Sequence, residues 1–382
     1  MRRLLLIIYM CAVWATGYSF AEAPFVVFTP IDATQGLSGN RVRNITQLPD
    51  GRMLITTVGQ FNLYDGTGFT YLHYGQEHIC KLSTYEGFHH EYIDGHGHVW
   101  MKNWEMLMAV DITQEQVVVH PDSLLMQWGI DEPLNDFFMD EEKNFWIVTE
   151  SDKLVCVDNE DLQAKCILRQ VFSLSGQKDD SIYDLAVSKG KLYLFYKSGV
   201  LFCYDLVSKT ELYRKWLGNI LSKERYGRTS YIVTVEDGFY QLCNGSQGGV
   251  LLYFDYTSSE WTEVLRPSGW VNYISLDHKG NIWLSGTNGL WFISSDLNQK
   301  EYIPVLKLVD GRKIETEVST LYYDVRGGLW VGTLNRGILY YHPDRFRFRN
   351  IGRTLFPVTG DEDLQVTGFR ETDEHQLSLI HI

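Results

Sequence analysis

The sequence predicts an all-β chain folded as a seven-bladed β-propeller, with four antiparallel strands in each blade. Three observations carry that expectation. An anchor residue recurs seven times at intervals of 43 to 47 residues, as Leu54, Trp100, Trp146, Tyr193, Tyr240, Trp283 and Trp330. Around each anchor one order of elements returns, four short strands to a unit, which is the signature of a propeller blade. Aromatic residues make up 14% of the chain, with 23 Tyr, 19 Phe and 11 Trp, a composition suited to pleated, half-buried surfaces.

In chain order, residues 1–23 read as a secretory signal peptide. Arg2 and Arg3 precede an apolar stretch from Leu4 to Ala15, and Ser19, Ala21 and Ala23 supply the small residues of a cleavage site. The apolar run is too short for a full membrane span. Export to a bacterial periplasm is expected.

Residues 24–350 hold the repeats. Each opens on an apolar strand such as "VRNITQL", "VNYISLD" or "VSTLYYD". A tight turn with Asp, Gly or Asn leads into the anchor strand, as in "GHGHVWMKN", "EEKNFWIVT" and "HKGNIWLSG". A second turn follows, with Gly199, Gly289 and Gly337 where positive φ is required. A third strand ("LVCVD", "VLFCYD", "ILYYH") and a weaker fourth ("GFTYLHY") complete the unit. The anchor aromatics are expected to be wedges packed between neighbouring blades rather than ligand contacts. Two segments could supply the last outer strand, "PFVVFT" before the first repeat and "RFRFRN" after the seventh. The former would latch the ring and remove a free edge.

Residues 351–376 read as a linker and the start of a second propeller, because "VTGFRETDEHQ" looks like the first strand and turn of another repeat. Residues 377–382, "LSLIHI", match one reading frame of a common transposon sequencing adapter and are expected to be non-native.

Charge and cysteine usage narrow the function classes. A formal charge of −14 argues against nucleic acid or anionic lipid as a partner, since both need a basic face. Cys80, Cys156, Cys166, Cys203 and Cys243 are widely spaced, fit neither a disulfide framework nor paired metal ligands, and read as small buried hydrophobes. Cys156 and Cys203 fall at the same place in successive repeats, so they belong to different blades.

The stretches "GLSGNRVRNITQLPDGRMLITT", "GNIWLSGTNGLWFI" and "GGLWVGTLNRGILYYHPD" resemble the two-component regulator propeller repeat. The resemblance runs from residue 25 to about 350 and is strong in blades 1, 6 and 7. It weakens in blades 2 to 5, where Lys102-Asn103, Val148-Thr149, Phe195-Tyr196 and Leu242-Cys243 replace the Gly-Thr after the anchor. Such a resemblance implies the N-terminal periplasmic sensor region of a hybrid two-component sensor. Its ligand would be an oligosaccharide. Its partners would be a second propeller and a histidine kinase on the same parent chain, which would sit in the inner membrane and act as a homodimer.

No catalytic constellation emerges from spacing. The cluster His89, His90, His96 and His98 invites a metal reading, but the frame puts His96 and His98 in the turn before Trp100 with no Cys or Asp ligand fixed beside them. No metal and no cofactor are expected. Glu141-Glu142 and Asp179-Asp180 fall in turns and read as solvated, and Asn44-Ile45-Thr46 matches a glycosylation acceptor. Ligand contacts are expected on one face, on the loops between second and third strands and between blades. The candidates there are Trp104, Trp128, Trp216, Arg225, Tyr226, Trp270, Asn288, Asn335 and Arg336, where flat rings beside amides and cations suit a sugar. A secreted glycan lyase or hydrolase and a protein-interaction scaffold are the alternatives.

Overall fold

The structure, a computed structural model, describes residues 26–83, 89–103, 105–226 and 229–344, and the strands Gly368–Glu371 and Leu377–Ile380. Its larger unit ends at Tyr341 and is a seven-bladed propeller of antiparallel blades. The first strands are Val42–Gln47, His90–Ile93, Leu134–Met139, Ile182–Ser188, Thr229–Val235, Val271–Leu276 and Val318–Tyr323. Every anchor lies on the second strand of its blade, as the repeat frame predicts.

The anchors do the packing expected of them. The apolar core divides into seven clusters, one at each seam between blades, and each holds one anchor. Trp100 packs with Phe137 and Ile147 of the next blade, Trp146 with Leu192 and Tyr196, and Trp283 with Leu329 and Val331. Trp330 packs with Ile45 and Ile55 of blade 1, so the last seam is built like the others. Burying a ring against two sheets removes a large apolar area from water and fixes the angle between blades.

The ring closes through the N-terminus. Val27–Ile31 lies antiparallel to Ile338–Tyr340 as the outer strand of blade 7, within the segment "PFVVFT" and the residues after it. Its other edge pairs in parallel with Leu306–Leu308, so neither edge is left open along that register. Phe28 is fully buried beneath this latch. The alternative latch, "RFRFRN", lies outside the described residues, as do the signal peptide and most of 351–376.

Blade 2 departs from the pattern. Its outer strand is only Gln116–Val117, and Cys80–Lys81 pairs with the free part of its third strand at Met106 and Leu107. A short helix, Pro121–Gln127, then carries Trp128 into the seam with blade 3. Cys156 and Cys203 occupy equivalent sites opposite Trp146 and Tyr193 on different blades. Cys203 and Cys243 are buried as expected, whereas Cys166 is exposed on an outer strand.

The second unit, from His342 onward, contains one described antiparallel pair, Gly368–Glu371 with Leu377–Ile380. The stretch read as the first strand of another repeat is therefore paired with part of the hexapeptide read as non-native. No described helix is long and apolar enough to cross a membrane.

Candidate functional site

The first strands carry a recurrent irregularity. In blades 1, 3, 4, 6 and 7 the pairing with the second strand slips by one residue at the start, leaving Arg43, Asn135, Tyr183, Asn272 and Ser319 as the extra residues of β-bulges. Just past that level, the residue opposite anchor-plus-two is polar or titratable in every blade. The set is Asn44, His90, Asp136, Asp184, Tyr231, Tyr273 and Thr320. Seven equivalent polar positions on the first strands form a ring about the channel.

Neighbouring members of the ring are in contact. Thr320 donates to Asn44 at 2.9 Å across the closing seam, and the Tyr231 ring lies 4.9 Å from Tyr273 and 4.7 Å from His90. The last contact joins blades 5 and 2, which are not adjacent, so Tyr231 reaches across the channel. Opposite His90 on the second strand of blade 2 stands Lys102. Its ammonium donates to Asp136 at 2.8 Å and sits 3.7 Å above the Phe138 ring, with both charged side chains at most 3% exposed. Asp184 accepts two backbone N–H groups, from Leu185 and from Ile232 of the next blade, each at 2.9 Å.

Burial governs the electrostatics. It pushes the Asp184 carboxyl up to about 7, with Lys102 pulling the other way, and raises Asp136. Burial also lowers Lys102 and holds His90 well below the usual imidazole range, so His90 is neutral. Each partner favours the other's charged form, and the short contact offsets part of that desolvation. Blades 2, 3 and 4 thus carry the ionisable side of the ring, and the rest is neutral.

Beside the ring, Thr56 donates to Glu91 at 2.8 Å, and the His89 ring lies 3.3 Å from the same carboxylate. The second Glu91 oxygen and both His89 nitrogens are buried without hydrogen-bond partners. Two cavities open on the face of the turns between first and second strands. One of about 310 Å³ is walled by the first strands of blades 2 to 5, and one of about 480 Å³ lies along the seam of blades 3 and 4.

The loop residues singled out from sequence do not converge on one point. Trp128 is buried and stacks on Phe145 at 4.7 Å, and Tyr226 is buried in the seam of blades 4 and 5; both rings are spent on packing. Trp216 is about half exposed and donates to the Ser198 carbonyl at 3.3 Å. Trp270 donates to the Gly245 carbonyl at 2.9 Å and Arg225 to that of Gly249 at 3.3 Å, tying inter-blade loops to blade 5. Asn288 and Arg336 are exposed, and Asn335 accepts from Thr316 at 2.7 Å. Trp104 lies outside the described residues.

His96 bonds the Asn159 carbonyl at 2.7 Å in the turn, as the frame expects, whereas His98, which bonds Asp94 at 3.1 Å, already begins the second strand of blade 2. Asn44, the glycosylation match, is buried in the ring. Of the carboxylates read as solvated, Asp180 is in fact buried and accepts from the Ser198 amide at 3.1 Å. Glu141 is exposed but bonds Thr234 of blade 5. A buried carboxylate needs such donors, which a turn motif alone does not reveal.

No protein-family model matches the chain, and no curated protein matches it in sequence. Solved structures do match in fold. The extracellular domain of the putative hybrid two-component system BT3049 of B. thetaiotaomicron is 17% identical, with a TM-score of 0.58, over 93% of this chain and 46% of that one. The extracellular domain of the putative hybrid two-component system BT4673 of the same organism is 14% identical, with a TM-score of 0.58, over 83% and 40%. The WD40 propeller domain of Doa1 matches at 11% identity and a TM-score of 0.53. The chain spans less than half the length of the two bacterial domains, and at these identities the likeness is one of fold.

Proposed function

We propose that the chain is the ligand-sensing propeller of a periplasmic sensor in a hybrid two-component system. Its ligand is an oligosaccharide bound at the channel. The observation that carries this reading is the ring of seven polar first-strand residues, ionisable on one side only, set in a propeller that resembles extracellular domains of such systems. A sugar offers hydroxyls to such a ring and apolar faces to Tyr231 and Tyr273. Trp216, Arg225, Trp270, Asn288, Asn335 and Arg336 stay proposed contacts for a longer ligand on the loop face, at the other end of the channel from the two cavities.

Signalling would be mechanical. Seven seams packed by buried rings leave the propeller little freedom to deform, so binding would act on how it packs against a second propeller and, through a homodimer, on a kinase of the same parent chain. A glycan-cleaving enzyme is the second reading, favoured by Lys102, Asp136 and Asp184 meeting in the channel. Against it, the Asp184 carboxylate is already occupied by two backbone amides and Lys102 by Asp136.

Calorimetry of the purified chain against neutral, acidic and amino oligosaccharides, with product analysis of the same samples, tests the proposal. Binding without turnover is expected. Turnover would replace the sensor by an enzyme, and silence against every sugar would leave a scaffold.

A further inference from the structure

We infer that the channel mouth on the side of the first turns is a subsite for a protonated amine, so that the sensed sugar is an amino sugar. The inference rests on the oligosaccharide reading above and specifies its ligand. The inner cavity of about 310 Å³ and the seam cavity of about 480 Å³ share Asp140, Glu141 and Val187 in their walls. Each falls within or near the range of small-molecule pockets, and together they form one acidic cleft.

The charge of the inner wall is one-sided. Glu91, Asp140 and Glu141 line it beside Asp184, whose carboxyl burial pushes up to about 7, and no lysine or arginine is among its described lining residues. Acidic residues alone would be an ordinary solvated rim. Here one of them is buried and unsatisfied: the Glu91 side chain is 1% exposed, and its Oε2 has no hydrogen-bond partner. His89, 7% exposed, stands beside it with neither ring nitrogen bonded. Buried acceptors without donors are rare in folded proteins and call for a group that completes them.

An ammonium supplies three donors and a positive charge, which a hydroxyl cannot. Tyr92 and Tyr231 line the same wall, where an aromatic ring would add cation–π attraction. Asp140 is already engaged, accepting from Trp146 at 2.8 Å and from Asn144 at 3.2 Å. That leaves Glu91 at depth and Glu141 at the rim as the groups that read the amine. Glu141 is hydrogen-bonded to Thr234 on blade 5, so it spans the mouth, and the ligand would take the place of that hydroxyl. The seam cavity has Glu142 as well as Lys189 and Lys209 in its wall and would receive the next residue of the sugar. An anionic sugar would meet like charge at both carboxylates.

The test is calorimetry of the full chain with three probes: the glucosamine trimer, the N-acetylglucosamine trimer and the galacturonic acid trimer. Expected are binding of the glucosamine trimer, at least tenfold weaker binding of the N-acetylated trimer, and no binding of the acidic one. Glu91→Gln and Glu141→Gln should each weaken the glucosamine trimer at least tenfold, while Val325→Ser, at an exposed residue of blade 7 that lines neither cavity, leaves it unchanged. Glu141 is exposed, so its variant keeps the test alive should Glu91→Gln fail to fold. Tightest binding of the galacturonic acid trimer, or full affinity in a folded Glu141→Gln, would overturn the amine subsite yet leave sugar sensing standing. Failure of all three probes together with the wider sugar panel would overturn both.

Discussion

Asp324 accepts the indole N–H of Trp330 at 2.8 Å, and its other oxygen accepts the backbone amides of Arg326 and Gly328. One carboxylate therefore closes the turn and anchors the wedge that the turn delivers. Gly327, at φ +89°, makes the turn possible between them. The arrangement recurs as Asp94 with Trp100 and Asp140 with Trp146, each six residues apart. It fails once. In blade 6 the Asp277 carboxylate is taken by the Asn281 amide at 2.9 Å, and the Trp283 indole is buried with no partner.

That difference sets the first prediction. Trp330→Phe strands a buried carboxylate oxygen and should cost about 1–3 kcal/mol beyond the lost contacts. Trp283→Phe removes an N–H that is already unsatisfied and should cost less than half as much. Chemical denaturation of the two variants side by side gives the comparison, and equal losses would refute the bonding account.

The latch gives the second. Phe28→Ala should destabilise the chain by about 3–5 kcal/mol, because a fully buried ring leaves a cavity between sheets that cannot collapse. Deleting the chain up to Ile31 should do more, exposing Ile338–Tyr341 as an open edge and producing oligomers. Light scattering and a thermal melt read both effects. A monomeric deletion variant with an unchanged melt would mean that another segment closes the ring.

The blades were legible in the sequence because a period of about 45 residues survives wherever the anchor must fill a seam. Trp146, Trp283 and Trp330 are conspicuous, and Leu54 and Tyr240 follow from the frame. The polar ring was legible too, though only in hindsight: ten residues before the anchors of blades 1 to 3 stand Asn44, His90 and Asp136. They are easily passed over because they interrupt apolar strands without a motif of their own. Glu91 and Lys102 could not be placed at all, since their meeting partners come from other blades. Trp128 misled for the converse reason, since a polar loop can still hide its ring under a short helix.

Lys102 provides the third prediction. Lys102→Met leaves Asp136 buried without its cation and should cost about 3–5 kcal/mol. Adding Asp136→Leu should recover a large part of that loss, because the pair together spends its attraction on its own desolvation. A double-mutant cycle measures the coupling. Additive losses in the cycle would show that the two side chains act independently.

Asp184 makes stability depend on pH with a definite sign. Its carboxyl is pushed up to about 7 by burial, above the 3.8 of an unfolded chain. Between those values the folded chain keeps a proton that the unfolded chain has released, so stability falls as pH rises through the window and is flat above it. The His98 imidazole, raised by Asp94, falls in the same sense near neutrality, while buried neutral His90 acts oppositely, weakening the fold as pH drops below the imidazole range. Asp184→Asn removes only the first contribution. Thermal melts from pH 4 to 8 should therefore show a steeper decline for the parent chain than for the variant, and parallel curves would show that the folded protein holds no proton on Asp184.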